Sequence, residues 1–133
     1  MTEQNNVKIL IVDDDKFLLT MYANKFSKFG YEVETAISGD DALAKIRLGY
    51  TPVIILTDII MPKMDGIAFL DEIKKSGLVK EACLIVLSNQ GQSADIDRAV
   101  KSGIDGYIVK ATAIPSEVVE EVSKIYDKKK KVV

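Results

Sequence analysis

The sequence has no histidine and only one cysteine, Cys83, among its 133 residues. Without histidine, Ser-His-Asp catalysis, Cys-His catalysis and histidine-ligated metal sites are all excluded. One cysteine cannot close an internal disulfide, which favours a reducing compartment and a role for Cys83 as a small apolar core residue. A bound metal must therefore be a hard cation with oxygen ligands, and a catalytic group must come from Asp, Glu, Lys, Ser, Thr or Tyr.

Long apolar runs and an excess of positive charge are also missing. Residues 1–6 are polar and form no hydrophobic signal-peptide segment, and no apolar run approaches the length of a membrane span. The formal net charge of −2 leaves no broad positive surface that would neutralise phosphates. We expect a cytoplasmic protein that binds neither membranes nor nucleic acid directly.

What is present suffices for one folded domain, because 47% of the residues are hydrophobic and 29% are charged. Apolar runs at residues 9–12, 53–57 and 84–87 are typical of buried strands. Residues 33–36 predict a weaker, shorter strand at an edge of the sheet, and residues 107–109 predict the last strand. A segment with helical spacing of its apolar residues follows each run. The pattern predicts an α/β fold of the flavodoxin-like, doubly wound type: a five-stranded parallel sheet in the order 2-1-3-4-5, with helices on both faces.

Capping residues and glycines mark the predicted helix boundaries. Asp15 is a candidate cap for the first helix, and Ser38 with Asp41 forms a candidate capping box for the second. Glycines follow the first four helices, at Gly30, Gly49, Gly77 and Gly103. We divide the chain into a flexible N-terminus (residues 1–6), one domain (residues 7–127) and a lysine-rich C-terminal tail (residues 128–133).

Polar side chains follow four of the five predicted strands: Asp13, Asp14 and Asp15 the first, Asp58 the third, Ser88 the fourth and Lys110 the fifth. In such sheets, ligands bind at the carboxyl ends of the strands, beside the point where the strand order reverses. A single aspartate after a strand is more often a turn or capping residue, and Asp15 fits that role. Acids, a hydroxyl and a lysine together at four strand ends indicate a functional site.

Carboxylates that crowd together repel each other unless a cation or a shared proton lies between them. A lysine supplies one positive charge and Mg²⁺ supplies two, with phosphate oxygens of a substrate completing the metal's shell. A carboxylate can also be a nucleophile and form an aspartyl phosphate. The residues thus predict an Asp–Mg²⁺–Lys phosphoryl site, with Ser88 placed to bond a phosphoryl oxygen.

Four stretches in order along the chain resemble the receiver domains of two-component response regulators. They are residues 9–15 (ILIVDDD), 56–66 (LTDIIMPKMDG), 87–88 (LS) and 106–110 (GYIVK). The resemblance covers the chain from about residue 7 to residue 126. It implies a regulatory domain rather than an enzyme, with Asp58 as the phosphoacceptor. It also implies that Asp13, Asp14, Asp58 and the backbone carbonyl of Ile60 bind Mg²⁺, for which Mn²⁺ is a plausible substitute.

The resemblance further implies that Lys110 and Ser88 contact the phosphoryl group. Ser88 and Tyr107 would form the switch, with Tyr107 moving inward as Ser88 moves. A phosphoryl group adds nearly two negative charges and three acceptor oxygens, which is enough to bias a loop with two conformations. Tyr107 also fits a simpler role as an edge aromatic that packs on the sheet.

The sequence departs from the family pattern near the fifth strand. The family usually has proline after the lysine, often with a cis peptide bond, whereas Ala111 follows Lys110 here. A cis bond to a residue other than proline costs about 2.5–4 kcal/mol, so we expect this loop to differ. Ile60 and Gln90 flank the phosphoryl position, and Ile60 has no group to orient an attacking water. We therefore expect a longer-lived phosphoaspartate.

The chain ends within a few residues of the last helix, so we expect a stand-alone or excised receiver domain. The resemblance implies a histidine kinase or a histidine phosphotransfer protein as the phosphoryl donor. Its output would be a changed affinity for a downstream protein, or a homodimer, through the face formed by the last two helices and the last strand. Ile96, Val100 and Tyr107 mark that face, with contacts made by their exposed neighbours.

Two other functions remain open from the sequence. One is a small Mg²⁺-dependent phosphohydrolase with an aspartyl intermediate, which the lack of a recognisable cap domain or general acid disfavours. The other is a receiver-like interaction module that is no longer phosphorylated. The intact acid cluster and Lys110 disfavour this module, whereas Ala111 in place of proline keeps it open.

Overall fold

The computed structural model describes residues 7–89, 93–110 and 113–131. Strands and helices alternate along these residues in the order β1 (Lys8–Val12), α1 (Lys16–Lys28), β2 (Glu32–Ala36), α2 (Gly39–Arg47), β3 (Ile54–Thr57), α3 (Gly66–Ser76), β4 (Cys83–Ser88), α4 (Ser93–Lys101), β5 (Gly106–Val109) and α5 (Pro115–Lys131). The strands form one parallel sheet in the order β2-β1-β3-β4-β5, which confirms the predicted doubly wound fold.

The position of β1 in the sheet brings the carboxyl ends of distant strands together. β1 pairs with β2 on one side and with β3 on the other, and the strand order reverses between β1 and β3. In this register Val12 lies opposite Thr57, the last residue of β3. The residues that follow directly, Asp13 and Asp58, therefore emerge side by side at one edge of the sheet.

The helices cover both faces of the sheet because the central strands are apolar on both sides. On one face, Phe26 of α1 and Val118 of α5 pack in a buried cluster with Ile9 and other residues of the same strand faces. On the other face, the cluster contains Phe69 of α3 and residues of α2 and α4. This two-sided burial is the reason why the strands read as continuous apolar runs.

Local capping agrees with the sequence at three helix ends. The Asp15 carboxylate accepts the N–H groups of Phe17 and Leu18 at the start of α1, and Ser38 Oγ accepts the N–H of Asp41 in α2. The left-handed backbone of Gly77, with φ of 67°, ends α3. Cys83 is fully buried, as predicted.

The strand boundaries match the prediction to within one residue, but two other expectations need correction. Residues 128–131 belong to α5 rather than to a tail, because Lys129 is fastened by Asp105 and by the carbonyl of Ala82. Val100 is 63% exposed whereas its neighbour Ala99 is buried, so Val100 itself belongs to the surface.

The helices were compared with the requirements for crossing a membrane. Within the described ranges, none combines the length and the apolar composition that a membrane crossing requires. Residues 1–6, predicted to be flexible, lie outside the described residues.

Candidate functional site

An open cavity of about 350 Å³, which we call the acid cavity, lies at the carboxyl edge of the sheet. The polar residues at the strand ends were predicted to meet there. The predicted residues around it are Asp13, Asp14, Asp15, Asp58, Ile60, Ser88 and Lys110. Ser88 is the last residue of β4, and the other residues lie in the segments that directly follow β1, β3 and β5. The topology thus joins residues that are up to 97 positions apart in the sequence.

Lys110 links two of the carboxylates in this cavity. Its ammonium Nζ lies 2.9 Å from Asp13 Oδ2 and 3.4 Å from Asp58 Oδ2. The side chains are 6% exposed for Lys110, 4% for Asp13 and 14% for Asp58, so solvent screens these contacts little. The other oxygen of Asp13 accepts the backbone N–H of Asp15, which fixes the orientation of the Asp13 carboxylate.

The surroundings of Asp58 shift the pKa of its carboxyl group upward. Burial raises the pKa of Asp58, Lys110 opposes that effect, and the charge of Asp13 adds to it, so the pKa of Asp58 lies above its ordinary value. Burial alone would lower the pKa of Lys110, but its hydrogen bond to Asp13 and the charge of Asp58 outweigh burial and raise the pKa. Lys110 is therefore a permanent cation at neutral pH.

The donor set fits a hard divalent cation. Carboxylate oxygens of Asp13, Asp14 and Asp58 all lie within 4.8 Å of one another, and one lysine does not balance three carboxylates. Oxygen ligands of this kind, in a cavity open to water, are what Mg²⁺ requires, since it retains several waters in its shell. Ile60 lines the same cavity with a side chain that is 60% exposed.

The two predicted switch residues lie on the adjacent strands β4 and β5. Ser88 is 1% exposed and lines the acid cavity. Tyr107 does not line that cavity but is half-buried against the core cluster shared with α2, α3 and α4. Its strand β5 nevertheless touches Ser88, because Ser88 lies opposite Val109 in the β4–β5 register. The expectations for Gln90 and Ala111 fall outside the described residues.

The sequence patterns did not identify two residues of the cavity or an ion pair that lies outside it. Asn89 and Leu18 also line the cavity. Asn89 was predictable, because it directly follows the end of β4, as the other polar residues of the site follow their strands. Arg98 of α4 reaches Asp65, whose carboxylate caps α3, with Nη2–Oδ2 at 3.0 Å. No local pattern points to this pair, because its members are 33 residues apart and meet only after α3 and α4 pack on the sheet.

A doubly wound parallel sheet with an acid cluster and a lysine at its carboxyl edge defines a class of small signalling domains. The chain belongs to the response regulator receiver domain family of two-component systems, whose family model matches residues 9–123. Its regulatory class and its fold are thereby those expected from the resemblance.

Individual relatives agree with this assignment. The chain is 40% identical over 119 residues to the chemotaxis protein CheY of Thermotoga maritima, covering 89% of this chain and 96% of that protein. It is 35% identical over 108 residues to the probable transcriptional regulator ycf27 of Cyanophora paradoxa, covering 81% of this chain and 44% of that regulator. The chain therefore spans less than half of the length of that regulator.

The fold also matches that of solved structures. A CheY-like response regulator receiver domain protein from Methanospirillum hungatei superposes with a TM-score of 0.86 at 29% identity, over 97% of this chain and 100% of that one. The receiver domain of the Francisella response regulator 1452 gives a TM-score of 0.81 at 29% identity, over 92% of this chain and 98% of that one.

Proposed function

We propose that this receiver domain takes a phosphoryl group onto Asp58 from a histidine kinase or a histidine phosphotransfer protein in the cytoplasm. The observation that carries the proposal is the contact of Lys110 with both Asp13 and Asp58, at 2.9 and 3.4 Å, in a cavity that solvent can enter. A buried cation beside a nucleophilic carboxylate is suited to phosphoryl transfer, in which positioning and charge neutralisation supply most of the catalysis.

The transfer forms one bond and breaks one. An Asp58 oxygen attacks the phosphorus of a phosphohistidine, the new P–O bond forms, and the P–N bond breaks with its electron pair left on the imidazole, which takes up a proton. The backbone N–H of Ile59 binds Asp58 Oδ1 at 2.8 Å, and Lys110 Nζ lies 3.4 Å from Oδ2. We assign the attack to Oδ2, because the lysine beside it would neutralise the incoming phosphoryl group. Lys110 and Ser88 then contact the oxygens of the phosphoryl group.

Asp13, Asp14 and Asp58 would hold Mg²⁺, or Mn²⁺, together with the backbone carbonyl of Ile60. When bound, the metal supplies positive charge that neutralises the phosphoryl oxygens. The chain's own residues perform the remaining work. Asp13 holds Lys110 in place, and the apolar side chain of Ile60 stands at the mouth of the cavity.

The proposed output is a change in binding at the face formed by α4, β5 and α5. Ser88, at the end of β4, would move toward the phosphoryl group, and Tyr107 on the neighbouring strand would follow. Such a coupled movement is a shift between two packed states rather than a gradual deformation. The downstream protein, or a second copy of the chain, would bind one of these states better than the other.

Intact-mass spectrometry after incubation with Mg²⁺ and acetyl phosphate tests the proposal. We expect one added phosphoryl group on the parent chain and none on Asp58→Asn. Chelation of divalent cations with EDTA should prevent the addition. An adduct that persists on Asp58→Asn, or no adduct on a folded parent chain, would show that Asp58 is not the acceptor.

The same samples separate the proposed receiver from a phosphohydrolase. A receiver forms a stable adduct, so it should release phosphate from acetyl phosphate only at a slow rate. Rapid multiple turnover on a small phosphate ester, lost in Asp58→Asn, would favour the enzyme instead.

A further inference from the structure

A second cavity, of about 440 Å³, lies along β5 on the opposite side from β4. We name it the β5–α5 groove, after the strand and the helix that form its two walls. Tyr107 and Val109 of β5 line one wall, and Ala113 lies where the chain enters α5. Ile114, next to Ala113, is 61% exposed, so apolar surface continues beyond the groove. The groove is distinct from the acid cavity, with which it shares no lining residue.

The helical wall of the groove is negatively charged. Glu117, Glu120 and Glu121 lie on one flank of α5, since residues three and four apart share a helix face. All three are exposed. Lys124 is the cation of the same flank, but its Nζ lies 3.9 Å from Glu121 and its side chain is 71% exposed, so it neutralises little.

The other two carboxylates of this flank lack a basic partner among the described residues. Glu117 Oε1 accepts the backbone N–H of Ile114 at 2.9 Å, a capping contact that leaves the charge in place. Within residues 7–89, 93–110 and 113–131, no lysine or arginine lies within ion-pair distance of Glu117 or Glu120. The groove thus combines an apolar strand wall with a helix wall of net negative charge.

We infer that the β5–α5 groove binds a positively charged, partly apolar segment of the downstream protein, with lysine or arginine residues facing Glu120 and Glu121. The inference rests on the proposed function, because Tyr107, the proposed switch residue, lines the groove and would alter its shape when it moves. Complementary charge determines which partners are accepted and how fast they associate. An acidic segment would be repelled by the same carboxylates.

Selection from a phage-displayed library of random dodecapeptides reveals the chemistry of the occupant, because such a library contains basic, neutral and acidic peptides alike. The bait is the whole chain, once untreated and once incubated with Mg²⁺ and acetyl phosphate, with the fraction of adduct measured by mass spectrometry. We expect the enriched peptides to carry positive net charge and apolar residues. Enrichment of neutral or acidic peptides would overturn the inference.

Charge-reversed variants locate the binding site of the selected peptides. Fluorescence anisotropy should give an affinity about tenfold lower for Glu120→Lys/Glu121→Lys than for the parent chain. The matched control, Asp71→Lys/Glu81→Lys, changes two exposed acids elsewhere by the same total charge and should alter the affinity by less than about twofold. Glu117 is left intact because it caps α5.

Equal losses in both variants would mean that net charge alone attracts the peptides, and the inference would fail. It would also fail if analytical ultracentrifugation showed that Glu120→Lys/Glu121→Lys abolishes a dimer of the chain, because the occupant would then be a second copy. If no adduct forms on Asp58, the proposed function fails, while peptide binding to the untreated chain still decides the charge of the occupant.

Discussion

Side chains around the acid cavity fall into those that set its charge and those that control access to it. Asp13 and Lys110 belong to the first group, since each is almost fully buried and they lie 2.9 Å apart. Ile60 belongs to the second group, with a side chain that is 60% exposed at the cavity wall. Hydrolysis of a phosphoaspartate requires a water in line with the phosphorus, and an isoleucine cannot orient that water by a hydrogen bond.

We expect Ile60→Asn to shorten the lifetime of the phosphorylated state several-fold, because an amide at this position can hold an attacking water. The half-life of the Asp58 adduct, followed by intact mass after removal of the phosphodonor, measures the effect. Leu48→Asn is the control, since Leu48 is 88% exposed and does not line the cavity. A half-life that is unchanged or longer in Ile60→Asn would contradict the expectation.

The loop between β3 and α3 shows how one element constrains the site. Asp58 begins this loop, and Asp65 ends it by capping α3 through the N–H of Ala68. Gly66 packs directly against the start of the loop, and its N–H donates to the carbonyl of Ile59 at 2.8 Å. A Cβ at Gly66 would overlap the backbone carbonyl oxygen of Asp58. Only glycine allows this approach, so the loop geometry at Asp58 depends on a residue at the far end of the loop.

Gly66→Ala should therefore destabilise the chain by about 2–3 kcal/mol, because backbone rather than a flexible side chain must move. Urea denaturation followed by circular dichroism gives the change in the free energy of unfolding. Gly106→Ala is the matched comparison, because its Cβ would meet the movable side chain of Ile125, and it should cost at most about 1 kcal/mol. Equal costs for the two variants would argue against this account of the loop.

The contact between Asp65 and Arg98 couples α3 to α4. Burial alone would raise the pKa of Asp65, but the N–H of Ala68 and the guanidinium of Arg98 outweigh burial and lower it below its ordinary value of 3.8. Because the folded-state pKa lies below the unfolded value, ionised Asp65 stabilises the fold above pH 3.8. This stabilisation is lost as the pH falls through the folded-state pKa.

Asp65→Asn isolates this effect, since asparagine can still cap α3 but carries no charge. The parent chain should exceed the variant in stability at neutral pH, and the difference should decline as the pH falls below 3.8 and through the lowered folded-state pKa of Asp65. Urea midpoints measured at a series of pH values give the curve. In Arg98→Gln the Asp65 effect should shrink, because one cause of the lowered pKa is removed. A difference that stays constant with pH would contradict the role of the ion pair.

At the scale of the whole molecule, the end of α5 closes the fold at the edge opposite to the acid cavity. Lys129 Nζ lies 2.9 Å from Asp105 Oδ2 and 3.1 Å from the carbonyl oxygen of Ala82. The same Asp105 oxygen accepts the N–H of Leu84 at the beginning of β4. The C-terminal end of α5 thus contacts the residues at the beginning of β4 and β5, while its N-terminal half borders the β5–α5 groove.

Lys129→Met should lower the free energy of unfolding by about 1 kcal/mol, because Asp105 and the Ala82 carbonyl lose their donor while the aliphatic packing is kept. Thermal or urea denaturation measures the loss. Lys128→Met provides the control, as Lys128 is exposed and its neighbour performs the fastening. Equal stabilities of the two variants would show that the contacts of Lys129 with Asp105 and Ala82 contribute nothing measurable to the free energy of unfolding.

Most of the architecture follows from local patterns in the sequence. The strands were predictable because burial on both faces demands continuous apolar residues, as in residues 9–12 and 84–87. The caps at Asp15 and Ser38 were predictable because a capping side chain bonds N–H groups two or three residues away. The extent of α5 was not, since the lysines after residue 127 have the composition of a solvated end. Only the contact with Asp105 shows why Lys129 is ordered.

The sequence by itself determined the fold class, the family and most residues of the carboxyl edge, because alternating strand and helix patterns limit the topology and the motifs are contiguous. Asn89 and Leu18 were the exceptions. The tertiary structure decided how those residues are arranged: Lys110 bridges Asp13 and Asp58, and Tyr107 lines the β5–α5 groove. It also decided the pairing of Asp65 with Arg98. Such contacts join residues that are far apart in the sequence and meet only after the helices and strands have packed, so no local sequence pattern encodes them.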